Sequence, residues 1–264
     1  MRGIEETWTS IKHYFGGHVV HRSRDEWGDI LVVDNRHLRV MSFGSAFEQS
    51  CIDVRTPHVP VHEYARAMLL SLAFTTPRHM TLLGLGGGAL VSSLRHALPD
   101  CPLQVVELRE EVAQVAQDYF GLIPNEHLMI QIEDARQYLR NAEPASTDLL
   151  FSDMYYSADM NPFQRQKKFI QHCQRVLTDD GWLVINYHRL PDGDDPFFNW
   201  MRQSFPTLYT CATGSGNQVV LASKGPCPDV ATVREKTGEL EIKLGARLMP
   251  LLLKLEKLGE PKDK

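Results

Sequence analysis

The stretch that most constrains this chain is His79–Leu90, His-Met-Thr-Leu-Leu-Gly-Leu-Gly-Gly-Gly-Ala-Leu. Met80–Leu83 is a short apolar run after Thr75, Thr76 and Pro77, and reads as a buried strand. Gly84-Leu85-Gly86-Gly87-Gly88-Ala89 breaks it, and beyond Ala89 the spacing of Leu90, Leu94 and Leu98 is helical. Strand, glycine turn and helix make the opening unit of a nucleotide-binding α/β domain. The turn is tight and its backbone must approach a ligand closely, hence glycine. The helix behind it offers free N–H groups and a partial positive charge. Glycine patterns of this kind also occur in turns that bind nothing, so the weight falls on the residues that follow.

From Arg78 onward, apolar runs alternate with helical spacing. Strands are predicted at Met80–Leu83, Leu103–Leu108, Leu128–Glu133, Asp148–Asp153 and Trp182–Tyr187. Helices are predicted at Ala89–Leu98, Glu110–Phe120, Asp134–Asn141, Phe163–Leu177 and Pro196–Phe205. That alternation means a parallel, doubly wound sheet. Thr207–Thr213 and Asn217–Ser223, joined by Gly214-Ser215-Gly216, form a hairpin and close the sheet antiparallel. Such an ending is typical of a Rossmann-like sheet of the adenosylmethionine-dependent methyltransferase type. Ahead of the domain, Asp29–Val33 and His37–Met41 flank Asp34-Asn35-Arg36 and predict a β-hairpin. Val61–Ala73 reads as a helix, and Val230–Leu258 as an amphipathic helix or helix pair. The expected organisation is a β-rich appendage over residues 1–60, an adenosyl-binding Rossmann-like domain over 61–225, and a helical extension over 226–264. The charged end, Gly259–Lys264, reads as a disordered tail.

Composition removes several functional classes. A formal net charge of −5 argues against a nucleic-acid binder held by phosphate contacts. No run reaches the ~20 apolar residues of a membrane span, and Met1–Gly17 lacks the apolar segment of a signal peptide. Cys51, Cys101, Cys173, Cys211 and Cys227 are odd in number, without a Cys-x-x-Cys pair, and read as reduced thiols of a cytoplasmic protein.

In an open α/β sheet the ligand sits beyond the carboxyl ends of the strands, so acids placed there are informative. Glu107 ends the second strand, where a carboxylate can accept both ribose hydroxyls of an adenosine. Asp134 follows the third strand and suits the adenine amino group, a helix N-cap, or both. Asp153 ends the fourth strand. Tyr155 and Tyr156 follow it and could stack on a cationic amine, and a group-transfer enzyme places its base at such a position. His58 and His62 are four apart, but Pro60 lies between them, and no third metal ligand is evident. Asn186-Tyr187-His188 ends the fifth strand, at the pocket floor.

With these residues in view, the chain is similar to the spermidine synthase (polyamine aminopropyltransferase) family from about Gly28 to Ser223. The likeness rests on the hairpin appendage, Gly84–Gly88, Val106-Glu107-Leu108, Asp134-Ala135-Arg136, Ser152-Asp153 and Leu177–Gly181. It implies Gly84, Gly86, Gly87, Glu107, Asp134 and Gln49 as donor contacts. It implies Asp153 as the acid that deprotonates the attacking amine; Tyr64 and, from their own position after Asp153, Tyr155 and Tyr156 are expected on the acceptor. It further implies decarboxylated S-adenosylmethionine as donor, a polyamine acceptor, no metal and a homodimer. Three departures stand out. Gly87 occupies the place of the family's Asp in Gly-Gly-Gly-Asp-Gly-Gly, the residue that grips the donor's aminopropyl ammonium. Tyr64-Ala65-Arg66 replaces Tyr-His-Glu, a cation for an acid. Met154–Asp159 replaces a Ser/Thr-rich segment followed by Asp-Pro. Loss of two acids and gain of a cation would weaken polyamine binding by several kcal/mol if the groups are buried. The alternatives are methyl transfer from intact S-adenosylmethionine, with Arg66 or the Gly87 backbone receiving the donor carboxylate; a non-catalytic adenosyl-nucleoside binder; and an NADP-type reductase using Arg109.

Overall fold

The computed structural model describes residues 16–44, 48–156, 160–190 and 195–258. Its larger sheet has eight strands in the order β12-β10-β11-β9-β8-β5-β6-β7. These are β5 (Met80–Leu83), β6 (Leu103–Glu107), β7 (Leu128–Ile132), β8 (Thr147–Ser152), β9 (Leu177–Tyr187), β10 (Thr207–Ala212), β11 (Gln218–Ser223) and β12 (Glu256–Lys257). The five strands from β9 to β7 pair in parallel, and β11, β10 and β12 continue the sheet antiparallel. The expected Rossmann-like sheet with its closing hairpin is therefore present.

Helices cover both faces, and the strands show why. Leu82, Val105, Phe151 and Val184 point to one face, whose core includes residues of α1 (Glu63–Leu69), α2 (Ala89–Ala97) and α7 (Val230–Leu244). Leu83, Val106, Leu150 and Ile185, each the neighbour of one of these along its strand, point to the other. There they pack with α4 (Ala135–Asn141), α5 (Lys167–Val176) and α6 (Pro196–Ser204). Period-two alternation of apolar side chains on both faces is the mark of a sheet buried on each side.

The appendage is a four-stranded antiparallel sheet rather than a single hairpin. It comprises β1 (His18–Asp25), β2 (Gly28–Asn35), β3 (Leu38–Ser42) and β4 (Ser50–Asp53). β1 is polar except at Val19 and Val20 and is half-exposed, so no apolar run announces it. Ile30, Val32, Met41 and Ile52 pack on Val112, Val115 and Phe120 of α3 (Glu110–Phe120), which fixes the small sheet against the large one.

Three segments differ from the sequence expectation. The helix expected over Val61–Ala73 is α1 followed by a 3-10 turn, Leu70–Ala73. The helix expected over Phe163–Leu177 is a 3-10 turn, Pro162–Arg165, and then α5, while β9 already begins at Leu177 and pairs with Thr147. The extension after Pro228 carries α7 and α8 (Met249–Leu252), then turns back as β12 onto the edge strand β10. Its short pairing, Tyr209 with Lys257 and Thr210 with Glu256, has no apolar alternation to reveal it. The tail expected at Gly259–Lys264 lies outside the described residues. Among the described residues, no helix is long and apolar enough to cross a membrane.

Candidate active site

The glycine turn is shaped by what it touches. Gly84 has φ +92°, and a Cβ there would run into the carbonyl of Asp153. Only glycine lets the end of β5 lie this close to the end of β8. Gly84 N–H donates to Val106 O at 2.8 Å and Asp153 N–H to Leu83 O at 2.9 Å, so three strand ends meet at one point. Beyond them opens a cavity of about 400 Å³, within the range of small-molecule sites. Gly84, Gly86, Glu107, Asp134, Asp153, Tyr64, Tyr155, Tyr156 and Gln49 all line it.

Glu107 is nearly buried. Its Oε2 accepts the Leu85 N–H and its Oε1 accepts the Arg109 N–H, both at 2.9 Å. Burial pushes its pKa up, opposed by those N–H groups. Each oxygen keeps a second acceptor site for a ligand hydroxyl. Asp134 is the N-cap of α4 and accepts the Arg136 N–H at 2.7 Å, so capping and a place on the cavity wall coexist.

Asp153 has no cationic partner among the described residues; its Oδ1 accepts a hydrogen bond from Asn186 Nδ2 at 2.8 Å. Burial pushes its carboxyl up to about 6, and the Asn186 bond only partly opposes this. Asn217 Nδ2 donates to Asn186 Oδ1 at 3.0 Å, and Tyr155 donates its hydroxyl to Asn186 O at 3.2 Å. The line Asn217–Asn186–Asp153 therefore orients the carboxylate. It exists because β11 pairs with β9, setting Gln218 beside Tyr187 and Val219 beside Asn186. Tyr64, whose hydroxyl pKa is raised by burial and by the charge of Asp153, forms another wall. Tyr156 sits at the rim, 37% exposed.

Arg109 also lines the cavity, but its guanidinium is already engaged. Its guanidinium holds both Asp25 oxygens at 2.8 Å and Gly28 O at 3.0 Å, and lies over the Phe43 ring at 4.6 Å. Burial would raise Asp25, but the Arg109 hydrogen bonds and charge hold it below its usual range. An arginine so engaged does not offer itself to a 2′-phosphate, which removes the support for a reductase. Its role here is to clamp the β1–β2 turn, with Trp27 and Phe43, onto the cavity.

No family model matches the chain. A polyamine aminopropyltransferase of Vibrio vulnificus is 24% identical over 248 residues, spanning 90% of this chain and 81% of that protein. The eEF1A lysine and N-terminal methyltransferase of Mus musculus is 25% identical over 193 residues, 64% of this chain and 27% of its own length. Among solved structures, a probable spermidine synthase of Corynebacterium glutamicum superposes with a TM-score of 0.73 at 20% identity, covering 90% of this chain and 89% of that one. A spermidine synthase in complex with the transition-state analogue AdoDATO gives 0.70 at 16% identity, covering 89% of this chain and 84% of the other. The chain is similar to the polyamine aminopropyltransferases and spermidine synthases over most of its length, and diverges from them in sequence.

The departures of this spermidine synthase-like chain have structural outcomes. Gly87, expected as a donor contact, is not among the described residues that line the cavity. A Cβ there would meet the Phe120 ring at 2.7 and 2.9 Å and Ser50 Cβ at 3.0 Å. The small sheet has closed onto that face of the turn. Gly87→Asp is expected to cost about 1–3 kcal/mol by overpacking, read as a lower thermal midpoint. An unchanged midpoint would show that Phe120 swings aside freely. Arg66 is likewise absent from the cavity wall, which corrects the expectation that it could receive a donor carboxylate. Its Nε is shielded and has no hydrogen-bond partner.

Sequence reasoning missed Asn217, Trp27 and Phe43. Asn217 directly follows the Gly214-Ser215-Gly216 turn, and a polar residue there, level with a strand-end asparagine, was the available signal. His58 and His62 do part company, as Pro60 suggests. His58 stacks on His96 at 3.8 Å, whereas His62 turns to the cavity.

Proposed function

We propose that this aminopropyltransferase-like chain transfers an alkyl group from an adenosyl sulfonium donor to an amine, with Asp153 as general base. The observation that carries the reading is Asp153 itself, a carboxylate with no cationic partner among the described residues, raised to about 6, sharing one cavity with Glu107 and the glycine turn. The adenosine lies over Gly84 and Gly86 with its ribose hydroxyls on Glu107 and its adenine near Asp134. An ammonium acceptor enters past Tyr155 and Tyr156 and loses a proton to Asp153. The free amine then attacks the methylene beside the sulfonium, the new C–N bond forms as the C–S bond breaks, and methylthioadenosine leaves neutral. Positioning of amine and sulfonium supplies most of the rate. The resemblance to polyamine aminopropyltransferases supports an aminopropyl group from decarboxylated S-adenosylmethionine and a polyamine acceptor.

A second reading, methyl transfer from intact S-adenosylmethionine, is favoured by one observation. The Gly87 position carries no acid for an aminopropyl ammonium, and its packing against Phe120 leaves no room for one. Calorimetric titration with both donors and with methylthioadenosine, followed by product analysis with putrescine, tests the choice. The aminopropyl reading expects binding of decarboxylated donor and methylthioadenosine, and spermidine as product. Binding of the intact donor alone would transfer the proposal to the methyl reading. Binding of neither would remove both.

A further inference from the structure

β4 and the entry to α1 bring together three side chains that the proposed transfer does not use. Glu48, Cys51 and His62 each offer one ligand atom, and these atoms all lie within 4.8 Å of one another. The sequence conceals this, because Glu48 and Cys51 precede His62 across an irregular segment containing Pro57 and Pro60. We propose that Glu48, Cys51 and His62 form a site for one borderline-soft divalent cation of the Zn²⁺ class, on the cavity wall beside Tyr64.

His62 Nε2 is shielded from solvent and has no hydrogen-bond partner. A buried imidazole nitrogen left without a partner is costly, and a bound cation would satisfy it. The nearest carboxylate oxygen, Glu48 Oε2, lies 3.5 Å from it. That is long for a hydrogen bond, but two ligands of a tetrahedral zinc, each about 2.0–2.1 Å from the ion, stand about 3.4 Å apart. The donor set is one nitrogen, one sulfur and one carboxylate oxygen. A hard ion such as Mg²⁺ would refuse the thiolate, and Zn²⁺ accepts all three.

Burial first, then the charges of Glu48 and Asp53, push the Cys51 thiol up to about 12, so a cation must displace its proton to bind. Burial also raises the Glu48 carboxyl, and the charge of the ion would have to offset both shifts. Burial and the Arg66 guanidinium push His62 below its usual pKa, which keeps the imidazole neutral, its ligating form. On binding, the ion forms a bond to Cys51 Sγ and the thiol proton leaves to solvent.

Glu48 and His62 both line the cavity, so an ion held between them would stand on its wall. Tyr64 stacks on His62 at 5.5 Å and also feels the charges of Asp153, Cys51 and Glu48. A bound divalent cation would thus stand one tyrosine away from Asp153 and repel an ammonium acceptor. That consequence rests on the proposed function; the site itself does not.

The test therefore reads metal on the protein alone. Zn²⁺ is titrated calorimetrically into the full chain, and Co²⁺ is followed by its thiolate charge-transfer absorption. One equivalent is expected, with the thiolate band present. Cys51→Ala should abolish the band and weaken Zn²⁺ by about 100-fold or more, and Glu48→Gln, at an exposed position that tolerates change, by about tenfold. The double variant Cys101→Ala, Cys227→Ala should leave both readings intact. Absence of stoichiometric binding overturns the site, as does a thiolate band that survives Cys51→Ala or vanishes in the double variant. Should Cys51→Ala not fold, Zn²⁺ affinity unchanged in Glu48→Gln overturns it equally.

Discussion

Asp153→Asn is expected to lower kcat by about 10²- to 10⁴-fold, the usual span for loss of a general base. The substitution is nearly isosteric, so Asn186 keeps an oxygen to which Nδ2 can donate, and Tyr155 keeps its bond to Asn186 O. What disappears is the proton acceptor. Methylthioadenosine affinity should hold within about twofold, because the adenosine contacts proposed above lie on the ends of β5 and β6 and at the start of α4. Fold damage would instead lower both. The sign of the pH effect follows from the raised carboxyl pKa, about 6. The base must be ionised, so kcat/KM in the wild type should rise with pH through about 6 and fall away below it. For stability the sign is opposite. A carboxyl whose pKa is raised on folding binds its proton more tightly in the native state, so its contribution declines as pH climbs from the unfolded value of about 4 through 6. Asn at this position removes a buried charge, and the variant should melt no lower than wild type at pH 8. A variant with wild-type turnover, or a wild-type profile flat between pH 5 and 7, would refute the base assignment.

Those strand-end acids were legible because parallel sheets obey a strong rule. Short apolar runs end where the ligand begins, and Glu107, Asp134 and Asp153 each end such a run or follow it by one or two residues. The parallel sheet followed from the same alternation, and its antiparallel close from the hairpin joined by Gly214-Ser215-Gly216; the strand order did not. Less legible was whatever depends on contacts between separate units. That Gly87 faces Phe120 rather than the ligand is decided by how the small sheet docks on α3. That Arg109 clamps Asp25 needs two side chains 84 positions apart. Cys51 and Glu48 meet His62 only because β4 runs beside the entry to α1. β12 is two residues long, and no periodicity can be read from two residues. Pattern speaks for elements that bury one face along their length, and says little about where two finished surfaces touch.

Glu107→Ala should weaken methylthioadenosine by about 2–3 kcal/mol, or roughly 30- to 150-fold, and should also lower the thermal midpoint. The two effects have one cause. The carboxylate bridges the Leu85 and Arg109 N–H groups, so it ties the glycine turn to the start of α3 while turning its remaining acceptor sites to the cavity. Truncation leaves two nearly buried N–H donors without partners and, at the same time, removes the proposed ribose acceptor. Two further variants separate the roles. Glu107→Gln keeps length and one carbonyl oxygen, but its NH₂ group faces an N–H and cannot accept. It should retain more stability than Ala while still losing most nucleoside affinity. Glu107→Asp keeps the charge but is one methylene short of spanning both N–H groups, so it should lose stability with a charge still present. Calorimetric titration and thermal unfolding on all three read the pattern. If folded Glu107→Ala bound methylthioadenosine as the wild type does, Glu107 would be a turn-bracing residue only, and the adenosyl site would have to be sought elsewhere in the cavity.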